Sequence, residues 1–224
     1  MWGPECVKLI NLVTNYAAPL LETDAGTQEI AELFGIDIPI NKSDFWFFLA
    51  DIFVMGVQYG NRNSMCTKLN HNFGTFALLA SNVAELASQY GVSYADYDAA
   101  TLSGTTVNYD SASRQWTYQY CNEFGWYQTP NDEHPMRSQV LVESFWPDYC
   151  QRVFGKEMTA GTDATNKLYG GLDIEGDNIY FLNGSEDPWQ WAAMRTLTHP
   201  DTTQSTMFAT YIECDTCAHC VDFH

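Results

Sequence analysis

The chain has 224 residues, of which 46% are hydrophobic and 17% are charged, so it can bury a substantial core. Asp and Glu number 28 against 10 Lys and Arg, giving a net charge of −18 that excludes nucleic-acid binding as the main function. The longest apolar stretch, residues 45–57, contains Asp51 and is shorter than the roughly 20 residues that span a bilayer, so no transmembrane helix and no membrane partner are predicted.

The first part of the chain has the apolar spacing of amphipathic helices. Between Glu5 and about Tyr90, hydrophobic side chains recur three and four residues apart. Residues that end helices separate these segments at Pro19, Gly35, Pro39, Gly60 and Gly91. The pattern predicts a bundle of four or five helices.

The second part alternates predicted strands with predicted helices, after a polar, turn-rich segment at 98–110. Strand-like alternation occurs at 116–121, 178–182 and 207–212, and helical spacing occurs at 138–153 and 189–197. This rhythm is typical of an α/β sheet. We therefore predict a helical domain over residues 1–112 and a sheet-containing domain over residues 113–224.

An acid and a histidine follow two successive predicted strands. Asp187 comes after the strand at 178–182, and His219 comes after the strand at 207–212. Loops that leave the same edge of a parallel sheet can bring two side chains to about 3 Å. This order matches Ser…Asp…His of an α/β-hydrolase, in which the acid fixes the histidine tautomer and the histidine takes the serine proton. Taken singly, Asp187 also fits a helix-capping turn and His219 a loop residue.

The motifs around these two residues resemble the serine peptidases that include prolyl carboxypeptidase, dipeptidyl peptidase II and thymus-specific serine protease. The similar segments are Asn183-Gly-x-x-Asp187-Pro-Trp189, Ala218-His219-Cys220-x-Asp222 and the long signature Arg114-x-Trp116-x-Tyr118-Gln119-x-Cys121-x-Glu123-Phe124-Gly125-x-x-Gln128, with a lesser match at Val57-Gln58-Tyr59. The resemblance implies the C-terminal part of an α/β-hydrolase sheet, preceded by a helical cap domain.

The nucleophile of that family lies in Gly-x-Ser-Tyr-x-Gly, upstream of the cap. The nearest match here, Gly91-Val-Ser93-Tyr94-Ala-Asp96, lacks the closing glycine and follows a helical segment. We therefore expect the chain to be the C-terminal half of a longer enzyme, without its nucleophile and hydrolytically silent by itself. The same expectation accounts for the absence of a recognisable signal peptide at residues 1–6.

Seven cysteines, most of them dispersed along the chain, suggest disulfides and an oxidising compartment. The resemblance implies a bridge between Cys121 and Cys150, for which two buried free thiols are the alternative. A second bridge between Cys6 and Cys66 has less support. Three cysteines and a histidine in Cys214-x-x-Cys217-x-His219-Cys220 leave a zinc-stabilised module as a further alternative, although the resemblance needs no metal or organic cofactor.

The resemblance also suggests how a peptide would bind. Trp189 would form one side of an apolar pocket suited to a proline ring. Trp126, Gln119 and Glu123 would line the cleft that contains this pocket. Glu123 could pair with a substrate amine, but it fits an internal hydrogen-bond network equally well. The resemblance thus implies a proline-directed serine exopeptidase, either a carboxypeptidase or a dipeptidyl peptidase, that is secreted or lysosomal/vacuolar as a full-length protein, with a non-catalytic peptide- or partner-binding relative as the alternative. It leaves open the oligomeric state and which end of the substrate is removed.

Overall fold

A computed structural model describes residues 3–71, 74–131, 136–195 and 206–223. The first part of the chain forms α1 (Gly3–Leu20), α2 (Asp24–Phe34), α3 (Lys42–Gln58), α4 (Arg62–Asn70) and α5 (Phe76–Gln89). Shorter helices follow as α6 (Ala99–Leu102), α7 (Ser113–Gln119), α8 (Phe145–Phe154) and α9 (Thr162–Tyr169). Two strands, β1 (Ile179–Gly184) and β2 (Met207–Ile212), come last. None of the helices in the described residues combines the length and the hydrophobicity that a membrane span requires.

Local sequence signals set the helix ends. The side chains of Thr23, Asn41 and Thr75 accept hydrogen bonds from the first backbone N–H groups of α2, α3 and α5, which otherwise lack partners. Gly35 ends α2 in the left-handed conformation, at φ 63°, which a side chain would disfavour. The helical prediction for the first part of the chain is therefore confirmed.

Helix α3 lies at the centre of the helical part and is buried around most of its circumference. Phe45, Phe48 and Ile52 are almost wholly removed from solvent. The hydrophobic core around them extends from Cys6 in α1 to Met158, beyond α8. This core crosses the predicted boundary between residues 112 and 113, and the division into two domains stays a prediction.

Strands β1 and β2 pair in parallel, with Ile179 opposite Met207 and Gly184 opposite Ile212. The strands predicted at 178–182 and 207–212 are thus confirmed. Within the described residues the sheet has these two strands, and several large apolar side chains on it remain exposed, including Tyr180 and Phe208. Parallel sheets are usually covered on both faces. The faces of this two-stranded sheet are therefore more exposed to solvent than those of most parallel sheets.

The strand predicted at 116–121 is wrong. The segment forms α7 followed by a π-helical turn, Tyr120–Phe124. Trp116 and Tyr120 lie four residues apart and pack edge to face, with ring centroids 6.1 Å apart, while the Thr117 hydroxyl donates to the Ser113 carbonyl. The alternating aromatic residues of this segment therefore include a pair at the i, i+4 spacing of a helix, which the strand prediction did not recognise.

The two helices predicted in the second part are shorter than expected. At 138–153, a 3₁₀ turn (Gln139–Leu141) precedes α8, because Val142 is extended and interrupts the helical backbone. At 189–197, a 3₁₀ turn (Pro188–Ala192) ends where Ala193 becomes extended. Residues 196 and 197 of that prediction lie outside the described residues.

Candidate active site

Asp187 and His219 lie side by side at the carboxyl edge of the sheet. Oδ2 of Asp187 is 2.9 Å from Nδ1 of His219. The other carboxylate oxygen, Oδ1, accepts the backbone N–H of Trp189 at 2.8 Å, so Asp187 also caps the turn Pro188–Ala192. Asp187 is buried and the His219 ring is about one-third exposed. An ionised Asp187 can only accept, so Nδ1 carries the proton and Nε2 is left as the basic nitrogen.

The loops that carry the two residues are bonded directly to each other. The backbone N–H of Glu186 donates to the Cys217 carbonyl at 2.8 Å, and that of Ser185 donates to the Ile212 carbonyl at 2.8 Å. A Cβ at Gly184 would come within 2.3 Å of the Cys217 carbonyl oxygen. Glycine is therefore required where the histidine loop crosses the end of β1.

A disulfide between Cys214 and Cys217 closes the histidine loop. This disulfide leaves the zinc-module alternative without the thiolates of Cys214 and Cys217 on which it depended, because oxidised sulfurs are not thiolate ligands. No cluster of three or more metal-binding side chains occurs in the part of the chain that the structure describes. The remaining cysteine, Cys220, is an exposed free thiol.

Gln58, the last residue of α3, contacts both loops. Its backbone carbonyl accepts the His219 N–H at 2.9 Å, and its side-chain oxygen accepts the indole N–H of Trp189 at 2.8 Å. Gln58, Trp189, Asp187 and His219 therefore form a closed ring of hydrogen bonds. The sequence offered Gln58 only as part of a lesser motif match, because nothing local indicates a bond to a residue so distant in the chain.

His219 lines a cavity of about 540 Å³ between the sheet edge and α3. Trp126 and Trp189 lie on its wall, with ring centroids 5.5 Å apart, and Trp116 packs against both. A smaller cavity of about 100 Å³ shares these three indoles. The structure thus brings Trp126 and Trp189 to the same cavity as His219.

Gln119 and Glu123 are placed elsewhere. They line a separate open groove of about 880 Å³, together with Arg114 and Lys156. Gln119 is exposed, and the Glu123 carbonyl accepts a hydrogen bond from the Thr165 hydroxyl. The structure does not bring these two residues to the cavity lined by His219.

Asp51 and Tyr97, which line both cavities, were not among the predicted site residues. The Tyr97 hydroxyl donates to Oδ2 of Asp51 at 2.5 Å. Burial raises the pKa of Asp51, although this hydrogen bond and nearby Arg137 act in the opposite direction. Burial and the charge of Asp51 also raise the pKa of Tyr97 well above its ordinary value. The one feature of the sequence that could have indicated a site here was the acid Asp51 within the apolar stretch 45–57.

The other cysteines and Ser93 lie away from this cavity. Cys121 is bonded to Cys150 and Cys6 to Cys66, which link helices of the core. Ser93 lines a different cavity, beside Phe34 and Phe48. Among the described residues that line the His219 cavity there is no serine.

Comparison with known proteins gives a family match over the whole chain. The model of the family described as serine carboxypeptidase S28 matches residues 1–224. A probable serine protease of Arabidopsis thaliana, EDA2, is 34% identical over 182 residues, which cover 79% of this chain and 36% of the relative. The thymus-specific serine protease of Mus musculus is 38% identical over 94 residues, covering 40% of this chain and 18% of the relative. A probable extracellular serine carboxypeptidase of Arthroderma benhamiae is 36% identical over 91 residues, covering 39% and 13%. The chain spans about a third of the plant relative's length, and the matched parts of the other two are smaller.

Proposed function

We propose that this chain, which belongs to the serine carboxypeptidase S28 family, supplies the acid and the base of a serine-peptidase triad, with Asp187 as the acid and His219 as the base. The observation that supports this proposal is the 2.9 Å contact between Asp187 Oδ2 and His219 Nδ1 beside an open cavity. The serine is proposed to come from a segment of the same sheet that lies outside these residues.

In this proposal His219 is the general base. Its Nε2 takes the proton of the serine hydroxyl while the serine oxygen attacks the peptide carbonyl, and the resulting imidazolium gives the proton to the leaving amine. Water then hydrolyses the acyl-enzyme by the same base. Asp187 holds the ring in the tautomer that leaves Nε2 free and stabilises the imidazolium.

The exposed sheet supports a nucleophile on neighbouring strands. Both β1 and β2 carry exposed apolar side chains, among them Tyr180 and Phe208, and a two-stranded parallel sheet rarely stands alone. Further strands of an α/β-hydrolase sheet would pair with the free edges of β1 and β2, and their connecting helices would cover the exposed faces, with the helical part acting as a cap. The catalytic serine would then face His219 across the cavity.

The indoles of Trp126 and Trp189 support an apolar residue at the cleaved bond. The two indoles pack against each other with ring centroids 5.5 Å apart and present apolar aromatic surface to the cavity, against which the saturated ring of a proline could pack, and we propose a proline-directed exopeptidase on this ground. The three disulfides favour an oxidising compartment, and the printed name of the fungal relative describes that protein as extracellular. We accordingly propose a secreted or lysosomal location for the whole protein.

Fluorophosphonate labelling and peptide hydrolysis test the proposal. The 224-residue chain should not be labelled, because the cavity lacks a serine among its described lining residues. In a longer product of the gene that carries the serine, Asp187→Asn should lower kcat by roughly 10⁴-fold, and His219→Gln by a comparable amount. Ser93→Ala is the control and should leave the rate unchanged. Labelling of the 224-residue chain that Ser93→Ala removes would contradict the proposal.

A non-catalytic binding protein is the second candidate. The absence of a serine from the described lining of the cavity favours it, since an aromatic cavity can hold a peptide without cleaving it. The two candidates differ in one result. A longer product that binds peptides but neither hydrolyses them nor reacts with the probe would support the second.

A further inference from the structure

We propose that Asp51 binds the terminal ammonium group of the peptide substrate, so that the protein removes residues from the amino end. This inference rests on the proposed peptidase function and names the substrate end that the site accepts. The carboxylate belongs to α3 and lies in the wall of both adjoining cavities, one of which His219 also lines.

The charge of the cavity favours a cationic ligand group. Asp51 is the one acidic residue among the described residues that line the His219 cavity, and no Lys or Arg is among them. The indoles of Trp116, Trp126 and Trp189 surround the same space, and indole faces attract cations. A carboxylate bounded by aromatic faces suits an ammonium group and disfavours a substrate carboxylate. The net charge of −18 would steer cationic ligands in the same sense.

The position of Asp51 along α3 sets the distance to the base. Asp51 and Gln58 are seven residues apart on one helix, which corresponds to a rise of about 10 Å. The carbonyl of Gln58 accepts the backbone N–H of His219, so the residue that carries the base lies at this end of the helix and lines the same cavity as Asp51. An ion pair of about 3 Å followed by two extended residues of about 3.5 Å each has a total length of about 10 Å, which equals this rise. The peptide bond after the second residue would then lie beside His219.

The surroundings of Asp51 leave room for this role. Tyr97 occupies only one lone-pair direction of one carboxylate oxygen, Oδ2. Arg137 lies near enough to influence the carboxylate electrostatically, but its Nη2 donates to Gln128 and it is not among the residues lining either cavity. Burial raises the pKa of Asp51, and a substrate ammonium group would favour its ionised form.

Binding of three matched peptides tests the proposal on the 224-residue chain. The probes are the tripeptide alanyl-prolyl-alanine, its N-acetyl form and its C-terminal amide, followed by the fluorescence of the cavity tryptophans. Acetylation removes the ammonium group and should weaken binding at least about tenfold, whereas amidation removes the carboxylate and should change binding less than about twofold. Asp51→Asn should abolish the preference for a free amino terminus. Asp110→Asn, at an exposed acid outside the cavities, is the matched control and should preserve it.

The outcomes separate this inference from the peptidase proposal. Equal binding of alanyl-prolyl-alanine and its acetylated form, or a greater loss on amidation than on acetylation, would overturn the role of Asp51 alone. Failure of all three peptides to bind would overturn it together with the proposed peptide site. The comparison among peptides on the unmodified chain does not depend on whether Asp51→Asn folds.

Discussion

The indole Nε1 of Trp189 donates a hydrogen bond of 2.8 Å to the side-chain oxygen of Gln58, which lies 131 residues earlier in the chain. The backbone carbonyl of the same glutamine accepts the His219 N–H at 2.9 Å. The end of α3 therefore orients both the aromatic wall of the cavity and the histidine loop. A rigid helix end is a better support for a site than either loop would be alone.

Replacing Gln58 should release Trp189. Gln58→Leu keeps the approximate size of the side chain and removes the acceptor, and we expect a loss of about 0.5–1.5 kcal/mol in the free energy of unfolding. The Trp189 indole N–H resonance should move toward the value of an indole without a protein partner. Gln58→Glu retains an oxygen acceptor and is the control. An indole resonance that is the same in Gln58→Leu and in the unmodified chain would contradict the prediction.

The cysteines should react unequally when the chain is alkylated without reduction. Six of the seven form three disulfides, and Cys220 is free and exposed. Peptide mapping should therefore find the label on Cys220.

Removing Cys121–Cys150 by a double Ala substitution should lower the free energy of unfolding by about 3–4 kcal/mol, from the 29-residue separation. Cys220→Ser should leave stability unchanged, and alkylation of Cys214 or Cys217 would contradict the assignment.

Much of the fold was predictable because its signals are local. Helical periodicity and caps at Thr23 and Asn41 mark the first helices, and the strands that precede Asp187 and His219 contain the aromatic and β-branched residues that favour strands. The chain order of these two residues predicted a distance near 3 Å, and the structure has 2.9 Å. Their catalytic roles remain a proposal.

The rest depended on contacts that leave no local trace. Alternating aromatic residues at 116–121 fit a strand and a helix equally, and packing of Trp116 on Tyr120 decided for the helix. Gln58 and Asp51 acquire their surroundings from segments far along the chain, including Trp189 and Tyr97. Glu123 was predicted near the cleft from its motif, yet it faces a different groove, because motif spacing does not specify the side of a helical turn.

The buried ion pair between Asp44 and Arg152 should be important for stability. Asp44 is fully buried and accepts two hydrogen bonds from the guanidinium, at 2.7 and 2.8 Å, and a third from the Ala99 N–H. Arg152→Ala would leave a buried carboxylate without its cation, and we expect a loss of about 3–5 kcal/mol. Urea denaturation measures the change.

The matched control for that prediction is the other partner of the same arginine. Asp148 is exposed and pairs with Arg152 at 2.9 Å one helical turn away. Asp148→Ala should change the free energy of unfolding by less than about 1 kcal/mol, because an exposed pair is screened by solvent. Equal effects of Arg152→Ala and Asp148→Ala would contradict the importance assigned to the buried pair.

Asp51→Asn should stabilise the chain at neutral pH, with an effect that fades as the pH falls. Burial raises the pKa of Asp51 above its ordinary value of 3.8, so the folded state binds a proton more readily than the unfolded state. Wild-type stability therefore declines as the pH rises from that ordinary value through the raised one. Asparagine carries no charge to bury and can still accept the Tyr97 hydroxyl bond. Urea denaturation at pH values from about 4 to about 8 measures the difference, with Asp110→Asn as the control. A constant difference across this range would show that the charge of Asp51 is not the cause. A difference that grows with pH would mean that the ionised Asp51 carboxylate lowers the free energy of unfolding, as expected of a group that binds substrate.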